Sequence, residues 1–189
     1  MIGSLTTIMG PMYAGKTSEL MKRILWANHQ NLSVMVVKPA LDNRYTTSQE
    51  IVTHTGHKFQ CHYLHLTLNE DDCIMDNVVI QDAESMNTVF VDEVQFFDSD
   101  IIDIIGRWIR LGVNIVAAGL DQDSAGQPFD ISGRLLAMSD DTIKLKSYCN
   151  SCGQPATKTQ KMFDTGNRLD VASHGMYEAR CLEHWHPKK

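Results

Sequence analysis

The sequence lacks an excess of positive charge. Its 189 residues contain 17 Lys and Arg against 23 Asp and Glu, so the formal net charge is -6. Proteins that bind nucleic acid or anionic membranes over a broad surface usually carry a basic patch there. We therefore predict neither a nucleic-acid partner nor a membrane partner. A small basic site for one nucleotide is compatible with this charge.

Long apolar runs and a secretory pattern are also missing. No apolar stretch approaches the roughly 20 residues of a membrane span. The N-terminus leads directly into a predicted strand, without a basic region and a cleavage site. The five cysteines are an odd number, which excludes a fully paired disulfide framework within one chain. We expect a cytoplasmic protein whose cysteines bind metal.

Apolar strands alternate with amphipathic helices over most of the chain. Strands are predicted at 5–9, 34–38, 88–93, 113–119 and 142–146, and helices at 18–25, 101–110 and 132–138. This alternation predicts an α/β fold with a mostly parallel sheet and helices on both faces. The region 51–68 is predicted to hold short strands with incidental histidines, and a second metal site there is the alternative.

A phosphate-binding pattern, G-x4-G-K-T, follows the first predicted strand. Its residues are Gly10, Pro11, Met12, Tyr13, Ala14, Gly15, Lys16 and Thr17. The loop amides and the following helix N-terminus would bind phosphates. Lys16 would reach the β- and γ-phosphates, and the Thr17 hydroxyl would hold Mg²⁺. A chance glycine turn is the alternative, but the strand–loop–helix context favours a nucleoside triphosphate site.

Acidic and basic residues follow two later strands. Asp92 and Glu93 end the strand at 88–93, the pattern with which phosphate-loop proteins bind Mg²⁺. Asp92 would orient the ion, and Glu93 is predicted to point to the other face of the strand end, free to accept a proton. Asp42 and Arg44 follow the strand at 34–38 and are further site candidates, with ordinary solvated loop charges as the alternative.

Two ligand pairs stand near the C-terminus. Cys149 and Cys152 form C-x2-C, and Cys181 and His184 form C-x2-H about 30 residues later. This pattern predicts a closed tetrahedral zinc site with a structural role, with His186 as an alternative fourth ligand. We expect two domains, with boundaries at 1–147 and 148–189, the second stapled by zinc because it is too small to build its own core.

These motifs, in this order, resemble the zinc-containing thymidine kinases of the cytosolic and bacterial type. The resemblance rests on the segments 10–20, 38–45, 91–97 (with D-E-x-Q-F-F) and 118–121 and on the two ligand pairs. It implies a RecA-like phosphate-loop fold with a lasso domain that closes over the nucleoside. It also implies transfer of the γ-phosphoryl group of ATP to the 5′-hydroxyl of thymidine, giving dTMP, with deoxyuridine as a further acceptor.

The resemblance also assigns roles to single residues. It implies Glu93 as the base, with Lys16 and Arg44 at the transfer centre and Asp42 nearby. The residues that match the thymine pocket and lasso are Met12, Phe96, Leu120, Thr159, Val171, Ala172, Ser173 and Tyr177. The family is typically a homotetramer that is inhibited by its end product, dTTP. Two departures stand out: Ser124 replaces a phenylalanine, for which Phe129 can substitute, and Ala172–Ser173 replaces a glycine pair.

Two other functions fit parts of this pattern. One is a RecA-like ATPase whose zinc ribbon reads nucleic acid, which the acidic balance disfavours. The other is a nucleotide sensor without catalysis, which the presence of Lys16, Thr17, Asp92 and Glu93 disfavours.

Overall fold

The computed structural model describes residues 1–39, 50–52, 58–64, 78–163 and 175–187. The strands are β1 (Leu5–Met9), β2 (Val34–Pro39), β3 (Glu50–Val52), β4 (Lys58–Gln60), β5 (His62–Leu64), β6 (Thr88–Val91), β7 (Asn114–Gly119), β8 (Asp141–Lys144), β9 (Ser147–Tyr148), β10 (Pro155–Ala156), β11 (Lys158–Lys161) and β12 (Tyr177–Arg180). The helices are α1 (Lys16–His29), α2 (78–83), α3 (Asp100–Arg110) and α4 (Asp130–Met138), with 3₁₀ turns at Val94–Phe96 and Leu182–His184. None of the described helices is both long and apolar enough to cross a bilayer.

Six strands form one parallel sheet in the order β5-β2-β6-β7-β1-β8. The strand that ends at the phosphate-binding loop, β1, and the strand that ends before Asp92, β6, both pair with β7. Because parallel strands present their carboxyl ends at the same edge, the loop and the acidic pair lie at one edge of the sheet.

Alternating side chains of the strands build an apolar core on each face of the sheet. On one face Leu5, Val91 and Ala117 pack with apolar residues of α2, α3 and α4. On the other face Ile8 and Phe90 pack with α1 and with residues of the β3–β4 hairpin. Both faces are therefore covered, as the runs of apolar residues in these strands predict.

A small C-terminal lobe follows β8. It consists of the antiparallel pairs β9–β10 and β11–β12 and the turn Leu182–His184. Among its described residues, which exclude 164–174, the apolar cluster consists of Cys149, Ala156 and Ala179, with Cys181 packed against it. Such a cluster is too small to hold a lobe of this size together without another constraint.

Most predicted elements are present, with ends that differ by one or two residues, except that α1 continues four residues beyond the predicted end, to His29. The main difference concerns Glu93, which was expected to extend the pleat of β6. The strand ends at Val91, and Glu93 adopts a left-handed conformation with φ 54° and ψ 42°. The predicted extent of this strand was therefore wrong, because Glu93 belongs to a turn and not to the strand.

Candidate functional site

The phosphate-binding loop links β1 to α1 and places Lys16 among carboxylates. Gly15 precedes the helix with φ 80°, and the Lys16 Nζ donates to the Pro11 carbonyl at 2.8 Å. Burial lowers the pKa of Lys16, while the negative charges of Glu93, Asp92 and Asp121 act in the opposite direction. The lysine that the motif assigns to phosphate binding is thus near the acidic end of β6.

Asp92 is a buried carboxylate directly after β6. Its Oδ1 accepts a hydrogen bond from the Glu93 N–H at 3.0 Å, and its Oδ2 lies 3.9 Å from the Lys38 Nζ. Burial and the charge of Glu93 raise the pKa of Asp92 to about 6, although Lys38 and Lys16 oppose this shift. A divalent cation at this carboxylate would offset the burial of negative charge, so Asp92 is chemically suited to the Mg²⁺ role.

This shift predicts that Asp92→Asn stabilises the ligand-free protein at high pH. A carboxyl whose pKa is higher in the folded state than in the unfolded state favours folding when protonated, and this contribution is lost as pH rises through about 6. At pH 8 we expect the variant to be more stable by roughly 2–3 kcal/mol, or about 5–10 °C in Tm. Thermal unfolding at pH 8, 6 and 4.5 should show this difference shrinking towards zero.

The exposed Asp141 provides the control, because Asp141→Asn should leave Tm nearly unchanged at each pH. An Asp92→Asn variant that is less stable than the wild type at pH 8 would contradict the raised pKa.

Glu93 is held by the side chain of Gln95. The Gln95 Nε2 donates to the Glu93 Oε2 at 2.6 Å, and the Gln95 Oε1 accepts from the Leu120 N–H at 2.9 Å. The two bonds fix the orientation of the amide and, through it, the position of the carboxylate. Gly119 makes the arrangement possible, because a Cβ there would lie 2.4 Å from the Gln95 Oε1.

The structure describes five of the residues expected to form a thymine pocket, which are Met12, Phe96, Leu120, Thr159 and Tyr177. Met12 N–H donates to the Thr159 Oγ1 at 3.1 Å, which joins the phosphate-binding loop to β11. Leu120 follows β7, and its carbonyl accepts from the buried Ser132 hydroxyl at 2.6 Å. Phe96 lies in the 3₁₀ turn beside Gln95, and Tyr177 is buried at the start of β12.

Cys149, Cys152, Cys181 and His184 form one group in the C-terminal lobe, with all four ligand atoms within 4.8 Å of one another. The Cys152 and Cys181 Sγ atoms lie 3.8 Å apart, and the Cys181 Sγ lies 3.2 Å from the His184 Nδ1. Zn–S bonds of about 2.3 Å in a tetrahedral site separate two sulfurs by about 3.8 Å. The donor set and its spacing therefore fit a zinc ion. His186, the alternative ligand, is not in this group.

The pKa of Cys149 also suits a metal ligand. Burial acts to raise it, but hydrogen bonds from surrounding backbone N–H groups and from Cys152 lower it to about 6. The thiolate is the form that binds zinc.

Several predicted site residues lie outside the described residues. These are Asp42, Arg44, Val171, Ala172 and Ser173, and most histidines of the 51–68 region are also there. Conversely, no role was predicted from the sequence for Gln95 and Lys38. Gln95 belongs to the D-E-x-Q-F-F run and could have been proposed as a partner for Glu93. Lys38 approaches Asp92 only because β2 and β6 pair with Val37 opposite Val91, a register that one strand alone does not reveal.

The fold and this edge of the sheet define a phosphate-loop protein of the α/β class, with an acidic pair at the same edge as the loop and a C-terminal lobe suited to zinc. Residues 3–185 match the family model described as thymidine kinase. The chain is 34% identical over 188 residues to the thymidine kinase of Thermococcus kodakarensis, a match that covers 96% of this chain and 93% of the relative. The chain therefore belongs to the thymidine kinase family.

Solved structures with a similar arrangement include replication initiators. One is the initiator DnaA bound to AMPPCP and single-stranded DNA, at 14% identity and TM-score 0.46, covering 76% of this chain and 40% of that one. Another is the AMPPCP-bound DnaA from Aquifex aeolicus, at 14% identity and TM-score 0.45, covering 77% of this chain and 41% of that one.

Proposed function

We propose that the chain transfers the γ-phosphoryl group of ATP to the 5′-hydroxyl of thymidine, with Glu93 as the base that accepts the hydroxyl proton. Membership in the thymidine kinase family makes this enzyme an ATP-dependent kinase of thymidine. One observation carries the proposed role of Glu93. The Glu93 carboxylate lies in a left-handed turn, accepts a hydrogen bond from the Gln95 side chain and interacts electrostatically with Lys16 of the phosphate-binding loop.

The proposed mechanism depends mainly on position and charge. Phosphoryl transfer passes through a loose transition state, so the protein aligns the reactants and neutralises phosphate charge. The Lys16 ammonium and the loop amides are suited to that second task. Gln95 binds the Oε2 of Glu93, which leaves the Oε1 to accept the 5′-hydroxyl proton and to direct the oxygen in line with the γ-phosphate.

Two metal ions complete the proposal. Thr17 and Asp92 would hold Mg²⁺, which neutralises charge on the ATP phosphates when it is bound. The raised pKa of Asp92 supports this assignment, because a cation would offset both the burial of the carboxylate and its repulsion by Glu93, which raise that pKa. Cys149, Cys152, Cys181 and His184 would hold a structural Zn²⁺ with no open coordination position.

The acceptor site should prefer thymidine over deoxyuridine only moderately. One methyl group in an apolar pocket contributes about 1–3 kcal/mol, which corresponds to a ratio of roughly 10–200 in kcat/KM. We expect the lower end of that range, because Ser124 stands where the family usually has phenylalanine. The measurement is ATP consumption with thymidine, deoxyuridine, deoxycytidine, deoxyadenosine and deoxyguanosine as separate acceptors.

The same assay tests the function itself. Turnover with thymidine and much slower turnover with the purine nucleosides is the expected result. ATP hydrolysis that needs single-stranded DNA and ignores every nucleoside would instead indicate the RecA-like ATPase. A thymidine preference far above 200-fold would contradict the estimate for the methyl group.

The resemblance supports further properties that we propose without a structural argument. Arg44 and Asp42 would act near the transferred phosphoryl group, and Val171, Ala172 and Ser173 would contact the base from the lasso. The enzyme would be a homotetramer in the cytoplasm and would be inhibited by dTTP.

A further inference from the structure

The loop between β7 and α4 is a closed hairpin whose two ends are fixed. The Asp123 N–H donates to the Gln127 carbonyl at 2.8 Å, and the Phe129 N–H donates to the Asp121 carbonyl at 3.2 Å. At its start, Leu120 is bonded to Gln95, which holds Glu93. We call residues 122–128 the hairpin loop. Its first residues are therefore tied to the proposed base.

The tip of the hairpin loop rests on Trp185, the residue after the zinc ligand His184. The Trp185 Nε1 donates to the Ser124 carbonyl at 3.2 Å. The indole ring also lies directly against Gly126, where a Cβ would meet the Trp185 Cη2 at 2.7 Å. Gly126 has φ 79°, which side chains rarely adopt. The contact thus combines a hydrogen bond with a fit that only glycine permits.

Residues of strand β11 also contact Trp185 and the residue after it. The Lys158 Nζ lies 4.6 Å from the centroid of the Trp185 ring and donates to the Gln122 Oε1 at 2.6 Å. The Gln160 side chain bonds both the N–H and the carbonyl of His186, each at 2.8 Å. The residues after the last zinc ligand are therefore fixed to the lobe, and Trp185 connects that lobe to the hairpin loop.

We propose that Trp185 is a positioning residue for thymidine binding, through its contact with Ser124 and Gly126. The inference rests on the proposed function, since it assumes that the hairpin loop borders the nucleoside. The Trp185 ring connects the turn Leu182–His184 to the hairpin loop and so determines where that loop lies. The hairpin loop begins beside Leu120 and carries Ser124 at its tip. Phosphate binding does not depend on this contact.

The test compares Trp185→Ala and Trp185→Phe with the wild type. For Trp185→Ala we expect the KM for thymidine to rise roughly 10-fold. We expect kcat and the KM for ATP to stay within about twofold of the wild type, because the substitution displaces the hairpin loop, which borders thymidine and not ATP. Trp185→Phe keeps an aromatic ring but loses the N–H donor, so its KM for thymidine should lie between those of the wild type and Trp185→Ala. Trp26→Ala on α1 is the matched control, since Trp26 is exposed and stacks only with Lys22 among the described contacts.

Two further measurements keep the proposal falsifiable. Gly126→Ala displaces the ring from the side of the hairpin loop, so it should raise the thymidine KM without changing zinc content. In the double variant, the increases in the thymidine KM caused by Gly126→Ala and Trp185→Ala should not be additive. Hydrogen exchange of the hairpin-loop amides should accelerate in both variants even without nucleoside.

The outcomes separate this inference from the proposed function. A wild type that does not phosphorylate thymidine overturns the proposed function, while hydrogen exchange still reports on the contact. An unchanged thymidine KM in Trp185→Ala, or equal increases in the KM values for ATP and thymidine, would overturn the positioning role. Loss of zinc from Trp185→Ala with normal kinetics in Gly126→Ala would also overturn it.

Discussion

Replacing Glu93 by glutamine is expected to lower kcat by about 10²–10⁴-fold, with thymidine affinity nearly unchanged. The amide is similar in shape and keeps an oxygen that can accept the Gln95 hydrogen bond, now 2.6 Å long to the Glu93 Oε2. It cannot accept the proton of the 5′-hydroxyl. Steady-state kinetics with ATP and thymidine, together with a thymidine binding titration, separate the loss of chemistry from a loss of binding.

Glu84→Gln is the matched control for this substitution. Glu84 pairs with the partly exposed Arg107 next to α2, and the variant should retain wild-type turnover. Wild-type kcat in Glu93→Gln would exclude Glu93 as the base. An equally large drop in thymidine affinity would instead assign it a role in binding.

Removing one zinc ligand should have an effect of comparable size. In Cys152→Ser we expect the zinc content to fall from one ion per chain to nearly none, with kcat/KM for thymidine reduced more than 100-fold. Substitutions of residues that hydrogen-bond to metal ligands weaken metal binding by about 10–100-fold, and loss of a direct ligand should weaken metal binding more than that. In the part of the lobe that the structure describes, the apolar cluster contains three small buried residues, which is too few to replace the metal. Metal analysis and kinetics on the same sample test both parts.

The sheet domain should survive this substitution. Its two apolar clusters are built from the strands and helices that precede the lobe, so most of the far-ultraviolet circular dichroism signal should remain. Cys61→Ala, which removes a buried thiol from one of these clusters, is the matched control and should retain zinc. Full thymidine turnover in zinc-free protein would contradict a structural role for the metal.

The features that the sequence predicted well are those that local chemistry determines. The first strand was predicted at the residues that β1 occupies, because an apolar run ends at a glycine loop. The four predicted zinc ligands were grouped by their spacing alone, and the structure brings them together. Both patterns have few structural solutions, so a short stretch of sequence is sufficient.

Features that depend on tertiary contacts could not be predicted in this way. The pairing of Lys38 with Asp92 follows from strand register, and the orientation of Glu93 follows from a turn that departs from strand geometry. No role was predicted for Trp185 from the sequence, yet it contacts a loop about 60 residues earlier in the chain. No local pattern marks such a contact.

The close approach of Gly119 to Gln95 has an evolutionary consequence. A methyl group at position 119 would displace the amide that orients Glu93, so a change far from the reacting atoms would act as a change of the base itself. A smaller residue at position 95 alone would not relieve this, because the added Cβ would also lie 2.7 Å from the Val94 Cγ2. Substitutions at positions 94, 95 and 119 are therefore expected to be coupled in their effect on Glu93.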